Sequence, residues 1–176
     1  MDLAVKNRLL AVAGPAALVG IGNTLRGDDA FGPTLVERLR GHVRSVGLWN
    51  AGTAPENSIF AVLRSSPRTI LFADAADYKA TPGQMRFLEL REAVSIGFST
   101  HNASLSLLGD LIAAEAPQTL VAALVIQPKV LGLTEDLSPE VSNGLERAFD
   151  LIIEWDTKLM QSVDEDDKAC GGGSHA

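Results

Sequence analysis

Four side chains in this sequence stand where they can act together chemically. Asp28 and Asp29 are adjacent in the glycine-punctuated stretch GNTLRGDDAFGP (residues 22–33), Asp74 closes the apolar run RTILFADA, and His101 lies in STHNASL. One imidazole nitrogen and two carboxylate oxygens suit a borderline divalent cation such as nickel or zinc, with the remaining positions left to water or a partner. A closed structural metal site would need a further protein ligand. Plainer uses of the same residues stay open. Asp28 can cap the next helix or face its dipole, Asp74 can bond to nearby backbone in a turn, and His101 can be a hydrogen-bonded residue at a helix start. Asp77, in DAADYKATPG, reads as a turn residue of that kind.

Other site chemistries fit less well. Counting from Gly20 and Gly22, the third position of a dinucleotide fingerprint is Leu25, and Gly27 comes too late. No lysine follows a glycine run as in a P-loop, cysteines are not paired, and there is no G-x-S-x-G elbow.

The elements that must position these residues follow from hydrophobic patterning. Residues 2–12 fit an opening helix, and AALVGI (16–21) is short and continuously apolar, as a central strand buried on both faces would be. Phe31, Leu35, Leu39 and Val43 recur at helical spacing after the aspartate turn. VRSVGLWN then reads as a strand, ENSIFAVLRSS as a helix, and RTILFADA as the third strand. QMRFLEL, after Pro82 and Gly83, reads as an edge strand, with antiparallel pairing open to it. A helix over 102–116 and the strand QTLVAALVIQ come next. Ser138 and Pro139 look like the N-cap and first position of a last helix reaching about Met160.

Strands alternating with helices predict a single α/β domain, a three-layer sandwich built on a twisted, mostly parallel sheet of about five strands. The domain is expected to span residues 1–160, with 161–176 as a flexible acidic and glycine-rich tail. In such sheets ligands bind beyond the carboxyl ends of the strands, which is where Asp28, Asp29 and Asp74 fall.

The chain has 176 residues and a net charge of −7, with 15 Lys and Arg against 22 Asp and Glu. That balance argues against a nucleic-acid partner, whose phosphates call for clustered basic side chains. Lys6, Arg8 and the apolar residues after them imitate a secretory signal, but the run enters the glycine turn without a cleavage site and is divided by Pro15. No uncharged run reaches the roughly 18–20 apolar residues of a membrane span. The single cysteine, Cys170, cannot form an internal disulfide and suits a reducing compartment. A soluble cytoplasmic protein is expected, without a membrane partner.

Taken as a set, GIGNTLRGDDAFGP, GTAPENS, FADAAD, STHNASL and LVIQPKVLGLTEDLSPEV resemble the nickel-iron hydrogenase maturation endopeptidases, most closely the branch serving formate-hydrogenlyase-type, group 4 hydrogenases. The resemblance covers roughly residues 18–159 in the right order. It implies an endopeptidase that removes the C-terminal extension of the [NiFe] hydrogenase large-subunit precursor, cutting after a basic residue beyond the last Cys-x-x-Cys motif. By position it implies Asp29, Asp74 and His101 as metal-contacting residues, with Asp29 and Asp74 also the catalytic candidates. Asp28, Asn23 and Asn102 are supporting residues that orient or cap. The metal implied is nickel supplied by the precursor, so no permanently bound cofactor is expected, and the protein is expected to act as a monomer. Ala30 stands where near relatives often have glycine, which would strain the turn if that position required a positive φ. Two further readings stand beside this one: a noncatalytic, nickel-dependent checkpoint or chaperone, and a small-molecule-binding α/β module.

Overall fold

The computed structural model of the chain describes residues 3–12, 14–89, 92 and 102–171, with the side chains of all of these except 102–106 and 162–171. Five strands form one sheet in the order β2-β1-β3-β5-β4. They are β1 (Ala16–Ile21), β2 (Val46–Gly52), β3 (Thr69–Ala75), β4 (Met85–Glu89) and β5 (Leu120–Ile126). β1 pairs in parallel with β2 and β3, β3 pairs in parallel with β5, and β4 closes one edge antiparallel to β5. The apolar runs of β1 and β3 are buried along their whole length because both faces of the sheet are covered.

The side chains of these strands alternate between two cores, as the two-residue period of a strand requires. Ala16 and Leu18 of β1 and Leu71, Ala73 and Ala75 of β3 pack in one core beneath α1 (Leu3–Leu10), α2 (Phe31–Leu39) and α5 (Pro139–Gly171). Ala17, Val19 and Ile21 of β1, with Ile70 and Phe72 of β3, pack in the other beneath α3 (Ile59–Arg64) and α4 (Asn102–Glu115). This is the expected three-layer α/β sandwich with a five-stranded, mostly parallel sheet, and β4 is its antiparallel edge.

Several boundaries differ from expectation, among them the start of the second strand, which falls at Val46 and not at Val43. The stretch expected to be a helix from Glu56 onward opens instead with a 3-10 turn (Pro55–Asn57) before α3 begins at Ile59. The last helix does not end near Met160 but continues to Gly171. Beyond Met160 the residues lose their apolar periodicity yet keep good helix formers, among them Gln161, Glu165 and Lys168, so local propensity carries the helix on.

β2 starts at Val46 because of a residue far away in sequence. Asp156 on α5 is buried, and its carboxylate accepts hydrogen bonds from the backbone N–H groups of Arg44 (3.1 Å), Ser45 (2.6 Å) and Val46 (2.9 Å). It holds the incoming chain against the helix layer. Asp156→Ala leaves those donors without their acceptor, so we expect a loss of about 2–4 kcal/mol, read as a lower urea midpoint with an unchanged slope. A midpoint equal to the parent's would show that water replaces the carboxylate at no cost.

Candidate active site at the carboxyl ends of the strands

The chain leaves β1 at Ile21 and turns sharply at Gly22, whose φ of +137° is closed to most L side chains. A Cβ at Gly22 would also run into the carbonyl oxygen of Asp29. The segment then curls into a 3-10 turn over Gly27–Ala30 and passes directly into α2. Gly32, in the first turn of α2, lies so close to β1 and β3 that a Cβ there would overlap the carbonyl oxygens of Ile21 and Ala73. Glycine thus presses the start of α2, and the aspartates just before it, onto the ends of two adjacent strands.

Asp29 is buried at this rim, and its Oδ2 accepts a hydrogen bond from the backbone N–H of Asn23 at 2.9 Å. Asn23 serves the same turn from its side chain, where Oδ1 accepts from the N–H of Leu25 at 2.9 Å. Asp74 is buried at the end of β3. Gly20 on β1 pairs with Ala73 on β3, so Asp74 neighbours Ile21, one residue before the turn that holds Asp29. Strands in a sheet lie about 4.8 Å apart. The two carboxylates therefore share one rim.

The alternation along β3 adds a third element. Ile70 and Phe72 face the core beneath α3 and α4, so the strand period directs Asp74 to that face too. Leu108 and Ile112 of α4 pack in the same core. His101, expected as the nitrogen ligand, lies outside the described residues, as does the side chain of Asn102 at the start of α4. Among the described residues no three His, Cys, Asp or Glu side chains are grouped so as to hold a metal ion.

Asp28 has a different task from its neighbour. It is fully buried, and its carboxylate accepts from the N–H groups of Lys129 (2.7 Å) and Val130 (2.8 Å) and from the N–H (2.7 Å) and hydroxyl (2.9 Å) of Ser138. The backbone returns the grip: the N–H of Asp28 donates to the Val130 carbonyl at 2.9 Å, and that of Gly27 to the Thr134 carbonyl at 2.6 Å. One aspartate thus clamps the loop after β5 to the turn, and the other faces the rim. Ala30 has φ of −73°, in the right-handed region, so alanine is unstrained there.

Sequence reasoning missed Gln127. Its Oε1 accepts from the N–H groups of Tyr78 (3.0 Å) and Ala80 (3.1 Å), and its Nε2 donates to Asp77 Oδ1 at 3.1 Å, so it organises the turn that follows Asp74. The signals for it were its place after the last apolar strand and its inclusion in LVIQPKVLGLTEDLSPEV, one of the stretches that carry the resemblance. Asp77 is the turn residue expected, accepting from the N–H of Lys79 at 3.1 Å. The Lys79 ammonium, and then the Gln127 amide, hold its carboxyl down at about 2, from an ordinary 3.8. A depressed carboxyl stabilises the fold above its unfolded pKa, and that contribution is lost as pH falls through about 2. We expect carboxyl carbon NMR to find Asp77 titrating near this value and Lys79→Ala to move it back toward the ordinary one; an ordinary value in the parent would contradict the contact.

The rim offers two buried carboxylates that can take up a proton or bind a cation, on a chain in which no described helix is long and apolar enough to cross a membrane. Known proteins agree on what such a chain does. The family HycI, hydrogenase maturation protease, matches residues 33–155. The hydrogenase 3 maturation protease of Escherichia coli K12 is 29% identical over 143 residues, covering 79% of this chain and 89% of its own. A putative hydrogenase maturation protease of Methanocaldococcus jannaschii is 30% identical over 150 residues, covering 78% and 85%. Among solved structures, the [NiFe] hydrogenase maturation protease HycI from Thermococcus kodakarensis superposes with a TM-score of 0.78 at 26% identity, covering 88% of this chain and 99% of that one. The chain belongs to the hydrogenase maturation protease family and is a peptide hydrolase.

Proposed function

We propose that this protease removes the C-terminal extension of a [NiFe] hydrogenase large-subunit precursor in one cut, after a basic residue that follows the last Cys-x-x-Cys motif, and only once that precursor carries nickel. The observation that carries the reading is the placement of Asp29 and Asp74 at the ends of adjacent parallel strands, where Gly32 lets the helix bring its preceding turn down onto the sheet. Two carboxylates with His101 make a three-ligand set with open positions. Such a set binds weakly alone and better when the cation arrives held by the thiolates of a partner, so affinity reports loading.

In the cut itself, Asp29 or Asp74 takes a proton from the attacking water as that water adds to the scissile carbonyl. The proton then passes to the leaving nitrogen as the peptide bond breaks, which leaves a new carboxyl terminus on the hydrogenase and a free amine on the released peptide. Asn23, through its backbone N–H, fixes the orientation of Asp29. We place the protein in the cytoplasm as a monomer; its single cysteine suits a reducing compartment.

The test is to incubate nickel-loaded and nickel-free precursor with the protein and to sequence the released peptide. Release from the loaded form alone, with a basic residue on the precursor side of the cut, is the expected result. Equal release from both forms would remove nickel from the account, and a cut elsewhere would remove the proposed bond.

A further inference from the structure

The clamp made by Asp28 leaves an unusual surface beside the rim. Leu25, Val130, Leu131 and Leu133 are 56%, 40%, 37% and 92% exposed. They belong to two segments that are bonded to each other. The N–H of Thr134 donates to the Leu25 carbonyl at 3.2 Å, the N–H of Gly27 to the Thr134 carbonyl at 2.6 Å, and an Arg26 guanidinium nitrogen to the Leu131 carbonyl at 3.4 Å. The four hydrogen bonds to Asp28 fix both ends of the loop. Exposed apolar side chains grouped on a backbone this firmly held are the mark of a binding surface, since their hydration is unfavourable and their positions are already set.

We propose that this patch is the platform on which the protease seats an extended, apolar stretch of the precursor chain next to the bond it cuts. The inference rests on the cleavage reading above and names the surface that recognises the substrate. Three observations select that occupant. Leu25 is only four residues before Asp29, so it lies within reach of a polypeptide whose carbonyl is at the rim. The clamp joins the patch to the aspartate turn, which keeps the distance between docking and cleavage constant. The charges around the patch are mixed: Glu135 and Asp136 are exposed next to Leu133 and Thr134, Arg26 is exposed next to Leu25, and the one lysine of the loop, Lys129, is paired with Glu140 at 2.6 Å. Charges of both signs around an apolar patch favour a segment that is apolar and carries little net charge.

The test compares cleavage of nickel-loaded precursor by the full-length parent, Leu133→Asp, the double variant Leu25→Asp with Leu133→Asp, and Phe60→Asp. Phe60 is 55% exposed on α3, an element separate from the two segments that carry the patch, and serves as the control. Leu133 is almost fully exposed, so its replacement leaves the core intact, and equal melting temperatures check this. We expect kcat/KM to fall about tenfold or more for Leu133→Asp and further for the double variant, with the deficit in cleavage rate shrinking as precursor concentration rises, and Phe60→Asp to match the parent. Parent-like KM in both leucine variants would overturn the platform while leaving the cleavage reading intact. Failure of the parent itself to cut would overturn that reading and the platform with it. A concentration-dependent dimer of the parent that Leu133→Asp abolishes would assign the patch to a second copy of the chain instead.

Discussion

We expect Asp29→Asn and Asp74→Asn each to leave the precursor essentially uncut, with cleavage slowed by about 100- to 10,000-fold and the circular dichroism and melting temperature near the parent's. The amide keeps the shape of each side chain but gives up the negative charge, and with it both the ability to accept a proton and most of the affinity for a cation. Intact mass of the precursor against time measures the effect. Because Asp29 and Asp74 lie at the ends of neighbouring strands, the double variant should be scarcely worse than either single one, as residues that act as a unit are strongly non-additive. Parent-like cleavage by both single variants would show that the carboxylates at this rim are not the catalytic groups.

Asp28→Ala is expected to have the second-largest effect, falling on stability first. The substitution strips one hydroxyl and three backbone N–H groups of a fully buried acceptor. Leaving such groups unpaired costs about 3–5 kcal/mol. Activity should fall as well, since the turn that presents Asp29 and the loop from Lys129 to Ser138 are no longer tied together. Chemical denaturation gives the first number, and cleavage measured well below the new melting temperature gives the second. A loss below about 1 kcal/mol would mean that the loop holds without its clamp.

The contrast between Asp28 and Asp29 shows where sequence reading stops. Two identical side chains, one residue apart, offered a ligand and a cap without saying which was which. The assignment depends on Ser138 and the backbone after β5, more than a hundred residues downstream, reaching Asp28. The continuous apolar runs of β1, β3 and β5 were legible because burial on both faces leaves no polar positions to confuse the pattern. β4 was legible as an edge because the Pro82-Gly83 turn precedes it. The start of β2 was not, since Asp156 sets it from the far end of the chain. The true length of α5 escaped for the opposite reason: past Met160 only propensity continues, with no apolar stripe to read.

At the site, spacing alone could bring Asp29 and Asp74 to the strand ends but could not say how closely. Gly32 answers that, because any side chain there would push α2 off the sheet. The resemblance of the motifs carried the rest, and the family match supports it at the level of a protease. A protein that only checked for nickel would keep the same fold and the same rim, so chemistry has to separate the two.

The decisive measurement is the intact mass of a nickel-loaded group 4 large-subunit precursor before and after incubation with this protein. The expected result is the loss of one C-terminal peptide and nothing further. A loaded precursor that binds the protein and keeps its full mass would contradict it, and would make the chain a checkpoint that recognises nickel without cutting.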